Sequence, residues 1–461
     1  MFRAPSHHQK TVLIDYEEPK RAVGFVMEHN MLDNYWDDSE HSLNTRAPHL
    51  GKNCVTPMQD VSSIVTGQVL WDINYNFCQS WDRQNNTQWG TDNIETDLME
   101  QRKRFVRTDY QPNTKLGAEG KLLMAQIVRT YDDPDVEDIM QVYLKNIKQT
   151  TSYIYTENQY FRFPPLVSAF IEHWERMRGA GREGPIHWFA ITNSSDAGIG
   201  KGTKTTNDML RLLGRQDVMP NVAKAVREEE LKWQLKILDI QETKVRNDAL
   251  NYIPAAKPLL NQNLKTVEEQ RQWVRQEMTR IEALKTENAD TADTADDNDE
   301  TKETNLTREL GYELSDNPGI KAHICTLMPK DKTGKYVHTY KKQGKDEPAE
   351  VYVHSKVTIM DDVFTFIGSA NLNTRSMQLD TELGILTECH ESTQALRKRL
   401  WGLHTGNNPA ANPDKMHDYQ VAAKAFSSWQ EIININKKIA NSYNCALREF
   451  LRTDPDISRM D

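Results

Sequence analysis

One short pattern occurs twice in the 461 residues, and it limits what the chain can become more than any other feature. In HHQKTVLID, His8, Lys10 and Asp15 stand at positions i, i+2 and i+7; in HSKVTIMD, His354, Lys356 and Asp361 repeat that spacing. With 13 histidines in the chain, chance supplies roughly 0.05 such matches, so one copy is weak and two are strong. Both copies lie in strand-like sequence, where residues i and i+2 share a face. In the second, Val351, Val353, Val357 and Ile359 point one way while His354 and Lys356 point the other. Such a strand buries one face and presents an imidazole beside an ammonium on the other.

The residues after each copy extend the pattern. After Asp361, VFTFIGSANLN brings Gly368, Ser369 and Asn371 past a turn and a second strand, with small residues that permit close approach to an anion. After Asp15 the turn is five residues longer, Asn30 takes the place of Asn371, and Met27 and Glu28 stand where Gly and Ser are expected. An imidazole, an ammonium and an amide converging twice suit a phosphodiester. Lys10, Lys356, Asn30 and Asn371 can hold the non-bridging oxygens and stabilise the charge that builds on them. One histidine can attack phosphorus while the other protonates the departing alcohol, and water completes the hydrolysis. No metal and no cofactor is needed, since the lysines supply the positive charge, and no carboxylate cluster shows metal-ligand spacing.

Charge narrows the choice of substrate. With 57 Lys plus Arg against 67 Asp plus Glu, the net charge of −10 argues against a dedicated nucleic-acid binder. The N-terminus has no apolar signal region, and no run of about 18 apolar residues could cross a bilayer, so a soluble product made in the cytoplasm is expected. The five cysteines (Cys54, Cys78, Cys325, Cys389, Cys445) include no CxxC pair and are read as reduced thiols.

The fold class reads as α/β. Residues 1 to 115 have the texture of a strand-rich lobe with long loops. From 121, KLLMAQIVRTY, the helical DVEDIMQVYLKNIKQT and SYIYTENQYF form a strand, helix, strand succession. Residues 201 to 318 look like an insertion, in which Leu231, Leu235 and Leu238 line one face of a helix (226 to 240), a charged helix follows (265 to 285), and 287 to 305 is acidic low-complexity sequence expected to be a disordered loop. Strand-like sequence resumes at 323 to 328 and 350 to 360, and residues 411 to 461 read as a helical tail. Trp71, Trp81, Trp401 and Trp429 are assigned to the core and Trp36 to an interface; His7, His29, His41 and His49 are read as surface or loop histidines.

At these residues the sequence resembles the phospholipase D superfamily, whose members carry two HxKxxxxD motifs. The resemblance extends through TPMQDVSSIVTGQVLWDINYNFCQSWD (56 to 82), AQIVRTY (125 to 131), YIYTENQYF (153 to 161) and LRKRLWGLHTG (396 to 406). It implies two similar α/β lobes around one active site, residues 1–115 and 116–410, the second carrying the insertion 201–318. By the same resemblance His8 is the nucleophile, His354 the general acid and later base, and Lys10, Lys356, Asn30 and Asn371 bind phosphate, supported by Ser369. Asp33 or Asp37, and Asp380 or Glu382, stand where a carboxylate orients each histidine; Asp15 and Asp361 are structural. Glu157 and Gln159 are expected near the site. Because members place further strands before the first motif, the first lobe is expected to be N-terminally incomplete, completed by a longer chain or a companion polypeptide. The texture is most like antibacterial lipase effectors of type VI secretion. That implies a membrane phospholipid substrate, delivery to a target-cell periplasm and an immunity protein in the producer. A phosphodiesterase or nuclease of the same superfamily, and an inactive binding protein, are the alternatives.

Overall fold

The second motif lies in the middle of a sheet because its neighbours in sequence are apolar on both sides of the strand. In the computed structural model, Lys356–Met360 is buried at every position and pairs antiparallel on one side with Tyr153–Asn158 and on the other with Phe364–Gly368. The structure describes residues 5–44, 46, 47, 49, 51–54, 56–85, 97–113, 120–194, 203–251, 257–284, 306, 309, 310, 319–342, 344–438 and 443–457. The acidic segment 287–305, expected to be a loop, falls outside them.

Two units account for the contacts: Met1–Ser194 with Asn317–Phe450, and Ser195–Asp316 with Leu451–Asp461. The first holds both motifs. Its strands begin with β1 (Thr11–Ile14), β2 (Val23–Met27), β3 (Met58–Gln59) and β4 (Ser62–Val65). They continue with β5 (Gln126–Asp132), β6 (Asp135–Glu137), β7 (Tyr153–Asn158), β8 (Ile186–Ile191) and β9 (Ile320–Leu327). The last are β10 (Thr339–Lys342), β11 (Lys345–Pro348), β12 (Tyr352–Val353), β13 (Lys356–Met360), β14 (Phe364–Gly368), β15 (Glu382–Thr387) and β16 (Leu447–Glu449).

The strands do not divide evenly between the motifs. A nine-stranded sheet runs β16-β9-β8-β7-β13-β14-β15-β5-β6, parallel across β7-β8-β9 and antiparallel elsewhere. The first motif leads instead into a three-stranded antiparallel sheet, β1-β2-β4, with β1 at its edge. A two-stranded parallel contact, β12 with β3, joins the chain just before the second motif to the chain after the first.

Helices cover the large sheet on both faces, as a mixed sheet with apolar strands requires. On one side His390–His404 and Tyr419–Lys437 bury Trp401 and Trp429 against Tyr155, Phe189, Val357 and Ile359. On the other, Asp138–Ile147 and Pro164–Gly179 set Tyr143 against Phe366 and Phe170 against Trp188. Val26 of the small sheet and Leu70 and Ile73 of the helix Val69–Asn85 share a core with Leu383 and Ile385 of β15. The C-terminal stretch is helical only to Lys437 and then adds β16 beside β9. Trp401 and Trp429 are core residues as expected, but Trp81 is 42% exposed, on the outer face of the helix Val69–Asn85.

In the second unit, Pro220–Asn251 and Lys257–Ala283 pair along a seven-residue repeat, Val267, Val274 and Ile281, against Leu231, Leu235 and Leu238. The expected leucine face is therefore a helix–helix seam.

Candidate active site

Each motif ends in a tight turn. Asp361 takes a left-handed backbone, φ 53°, and its carboxylate accepts hydrogen bonds from the amides of Thr151, Ser152 and Tyr153 at 2.6–2.9 Å. Asp15 has the same left-handed conformation, φ 51°, and pairs with Arg21 at 3.2 Å. Both aspartates serve the turns. Next to Asp361, the buried Asp362 accepts two hydrogen bonds from Arg397 and one from Tyr153, pinning the helix His390–His404 to the motif strand.

His8 precedes β1 in an extended segment alongside β15: the His8 amide donates to the Thr381 carbonyl at 2.9 Å. Its Nδ1 meets Glu382 Oε1 at 2.9 Å, while Asp380 lies 3.9 Å away. Glu382 is fully buried and held, accepting from Ser369 Oγ at 2.5 Å and Ser376 Oγ at 2.7 Å. Asp380 is occupied elsewhere, taking the Ser6 amide and pairing with Arg375. Of the two carboxylates expected here, Glu382 is the one that orients the ring.

The second histidine departs from expectation. His354 Nδ1 meets Asp60 Oδ2 at 2.8 Å, so neither Asp33 nor Asp37 is its partner. Asp33 sits in an exposed turn, and Asp37 is bound by Arg46, His41 and the Met58 amide. The reason is the register of β3 with β12: Val353 stands opposite Gln59, the Gln59 carbonyl accepts from the His354 and Ser355 amides, and Asp60 comes next in the chain. Each imidazole is thus held at Nδ1 by a carboxylate from the other motif's side of the chain, which leaves Nε2 as the nitrogen for chemistry.

The charges show that the two motifs share one neighbourhood. Lys10 feels Glu382, the partner of His8, together with Asp60, the partner of His354, and Glu28. Lys356 is fully buried; burial lowers its ammonium to about 8, against the raising pull of Asp60. Burial and then the positive charges of Lys356 and Lys10 hold His354 well below the ordinary imidazole range, with His29 and His8 adding to the effect. Its resting state is neutral.

Glu28, the residue out of keeping with a phosphate site, is fully buried, and its Oε2 accepts from the Val61 amide at 3.1 Å. Burial raises its carboxyl well above the ordinary carboxylate range, and the nearby Asp60 pushes the same way. Burial thus favours its uncharged form, which lessens the repulsion a carboxylate would offer a phosphate. Met27 is buried in β2, its amide bonded to the Lys10 carbonyl.

Buried polar atoms without a partner collect here: Glu28 Oε1, His29 Nε2, Asp60 Oδ1, Asn158 Nδ2 and Asn371 Oδ1. Asn371 is buried, whereas Asn30 is half-exposed and makes no side-chain hydrogen bond among the described residues. Ser369 serves Glu382. Gly368 is small for a different reason than anion contact: a Cβ there would lie 2.5 Å from the Gly384 Cα on β15, so the glycine permits strand packing. His8, Asp380 and Glu382 are also close enough to share a metal ion, although Glu382 is already engaged by two hydroxyls and an imidazole.

Behind His354 runs a buried polar network. Glu157 accepts from Gln59 Nε2 (2.9 Å), Ser355 Oγ (2.6 Å) and Tyr155 OH (2.5 Å) and pairs with His404 (2.7 Å). Burial alone would raise its carboxyl, but His404 and the hydroxyls override it and lower it to about 2. Gln59 continues the chain to His41, which is buried and bonded to Asp37, not a surface residue. Gln159 takes no part; it donates to Tyr352 OH.

The sequence has known relatives. A family model described as cardiolipin synthase, PLD-like domain, matches residues 314–403, the stretch with the second motif. The chain is 24% identical over 496 residues to phospholipase D alpha 2 of Oryza sativa subsp. japonica, covering 93% of this chain and 52% of the relative. It is 23% identical over 453 residues to phospholipase D alpha 4 of Arabidopsis thaliana, covering 88% and 50%. The chain spans about half the length of the curated relatives it matches. Among solved structures, NucT from Helicobacter pylori shares 10% identity at a TM-score of 0.27, over 60% of this chain and 93% of that one, a superposition too loose to inform the site. Over most of its length the sequence is thus similar to phospholipase D proteins, and residues 314–403 match a PLD-like domain.

Proposed function

We propose that the protein is a phospholipase D, hydrolysing the distal phosphodiester of glycerophospholipids to phosphatidic acid. The observation that carries this reading is the crossed pairing of His8 with Glu382 and of His354 with Asp60, around two lysines that feel both carboxylates. In the first step His8 Nε2 attacks phosphorus, the bond from phosphorus to the head-group oxygen breaks, and His354 gives that oxygen its proton. In the second, His354 takes a proton from water, whose oxygen attacks phosphorus; the phosphorus–nitrogen bond breaks and His8 is restored. Burial first and then the charges of Lys356 and Lys10 hold His354 low. The anionic diester offsets those charges, which favours uptake of a proton from solvent by His354 before it acts as general acid. Those ammoniums, with Asn30 and Asn371, hold the phosphoryl oxygens.

The finer reading, an antibacterial lipase delivered by type VI secretion to a target-cell periplasm and neutralised by an immunity protein, rests on the motif pair and on overall resemblance. A companion segment beside the edge strand β1 belongs to the same reading. One assay tests the chemistry: phosphatidylethanolamine and phosphatidylglycerol vesicles with ethanol are expected to give phosphatidic acid and phosphatidylethanol, and His354→Asn to abolish both. Plasmid degradation without lipid products would favour a nuclease. Growth arrest of cells given the protein in the periplasm, and no arrest with His354→Asn, tests the effector role.

A further inference from the structure

The catalytic imidazole proposed as general acid has a roof. His354 is 5% exposed, and the Tyr35 ring lies edge-on against it, with centroids 4.8 Å apart and planes at 64°. Tyr35 closes a short 3-10 turn, Asp33–Tyr35. The residues around that turn are the reverse of what a loop in water needs: Met31 is 68% exposed, Leu32 62% and Trp36 46%. Single exposed apolar side chains are ordinary, but three within six residues on the loop that covers a reacting group form a surface with a purpose.

The base of the loop is fastened and its tip is not. The Trp36 carbonyl accepts from the Asn53 and Cys54 amides, and Asp37 is held by the Met58 amide and by Arg46 at 2.5 Å. Among the described residues, the tip is tied to the rest of the unit by the Tyr35 ring, by the Trp36 ring edge-on against His29 at 4.8 Å and by a long Asn53–Asp33 hydrogen bond of 3.5 Å. The charges behind the tip are paired off: Asp37 with Arg46, Asp38 with Lys52, Glu40 with Lys330. A tip with three exposed apolar side chains and the exposed Asp33 carboxylate, above charges that are paired, matches the interfacial zone of a zwitterionic lipid surface and not a polyanion.

We propose that the loop Met31–Trp36 is a lid that enters a zwitterionic phospholipid surface with Met31, Leu32 and Trp36, and that this entry draws Tyr35 off His354. The proposal rests on the phospholipase D reading of the site. It makes the bilayer both the source of substrate and the trigger that uncovers the site, because the same six residues meet the surface and cover the imidazole.

The test uses the full chain with phosphatidylcholine vesicles, and water-soluble bis(4-nitrophenyl) phosphate as a substrate that needs no surface. The double variant Met31→Ser/Leu32→Ser is expected to sediment with vesicles at least tenfold less well than the wild type. Its ratio of vesicle to soluble-diester turnover is expected to fall by a similar factor. Tyr35→Ala is expected to raise turnover of the soluble diester several-fold and to narrow that ratio. Equal sedimentation of wild type and double variant overturns the proposal, as does Tyr35→Ala leaving soluble turnover unchanged or lower. A wild type that turns over neither substrate defeats the phospholipase D reading instead, while vesicle sedimentation still decides the surface.

Discussion

The two copies of one motif live in opposite surroundings. The His8 side chain is 38% exposed and sits at the rim, against a carboxylate whose oxygens are already engaged by Ser369 and Ser376. The His354 side chain is 6% exposed, its carboxylate partner Asp60 retains one unpartnered oxygen, and a buried ammonium and a buried acid whose neutral form burial favours stand beside it. Identical side chains at identical spacing therefore acquire different chemistry from what packs around them. The rim site is built from hydroxyls that fix geometry. The buried site is built from charges that fix protonation, and its behaviour must depend on pH more steeply.

The largest effects fall on the rings themselves. His8→Asn and His354→Asn are each expected to lower kcat on phospholipid by about 10³-fold or more, since each removes a nucleophile or a proton-transfer group. The comparison sharpens if the covalent adduct is trapped by rapid quenching and located by mass spectrometry: a phosphorylated peptide containing His8 supports the proposed roles, and one containing His354 reverses them. Next come the partners. Asp60→Asn and Glu382→Gln are each expected to cost about 10²-fold or more in kcat, because an imidazole bonded to an amide is held in the wrong tautomer. If Asp60→Asn were silent, the crossed arrangement would be broken as an explanation.

How much of this was legible in the sequence differs between the two half-sites for a physical reason. The motifs show in the sequence because strand alternation puts residues i and i+2 on one face, a local rule. Glu382 shows only in part, as one of two carboxylates, with Asp380, that the family resemblance implies; the choice between them needs the 2.9 Å contact with His8. Asp60 does not, because its partner is 294 positions away and the link is a two-residue parallel pairing of β3 with β12 that no local pattern encodes. Glu157 and His404, 247 positions apart, meet in the same non-local way. Gly368 illustrates the opposite failure: its smallness is real, but it serves the approach of β15, which only the assembled sheet reveals.

The buried ammonium gives a pH test of moderate size. Burial brings Lys356 to about 8, below the ordinary lysine value, so its positive charge is complete well below that pH and is lost above it. The logarithm of kcat/KM is therefore expected to fall on the alkaline side with an apparent pKa near that value. Lys356→Arg, whose guanidinium stays charged, is expected to remove that limb even though its peak activity is lower. An alkaline limb that survives in Lys356→Arg would assign the titration to another group and weaken the contrast between rim and interior.

The smallest expected effect is the most discriminating. Glu28 occupies a place where a carboxylate would repel a phosphodiester, yet its Oε2 accepts a backbone hydrogen bond and its burial beside Asp60 favours the protonated form. A protonated carboxylic acid and a carboxamide have nearly the same shape and the same lack of charge, and both offer one acceptor oxygen to the Val61 amide. Glu28→Gln is therefore expected to change kcat/KM at neutral pH by only about twofold, well within the range of a lost neutral hydrogen bond. The glutamate itself should pay a penalty only where it ionises. Its folded-state carboxyl lies above the unfolded value, so the contribution of protonation is complete below the unfolded value and is lost as pH rises from there through the raised one. Thermal unfolding measured from the ordinary carboxylate range upward reads this directly: the wild type is expected to lose Tm faster than Glu28→Gln as pH climbs. Parallel curves would mean that Glu28 is already ionised at rest, and that the interior half-site tolerates a negative charge after all.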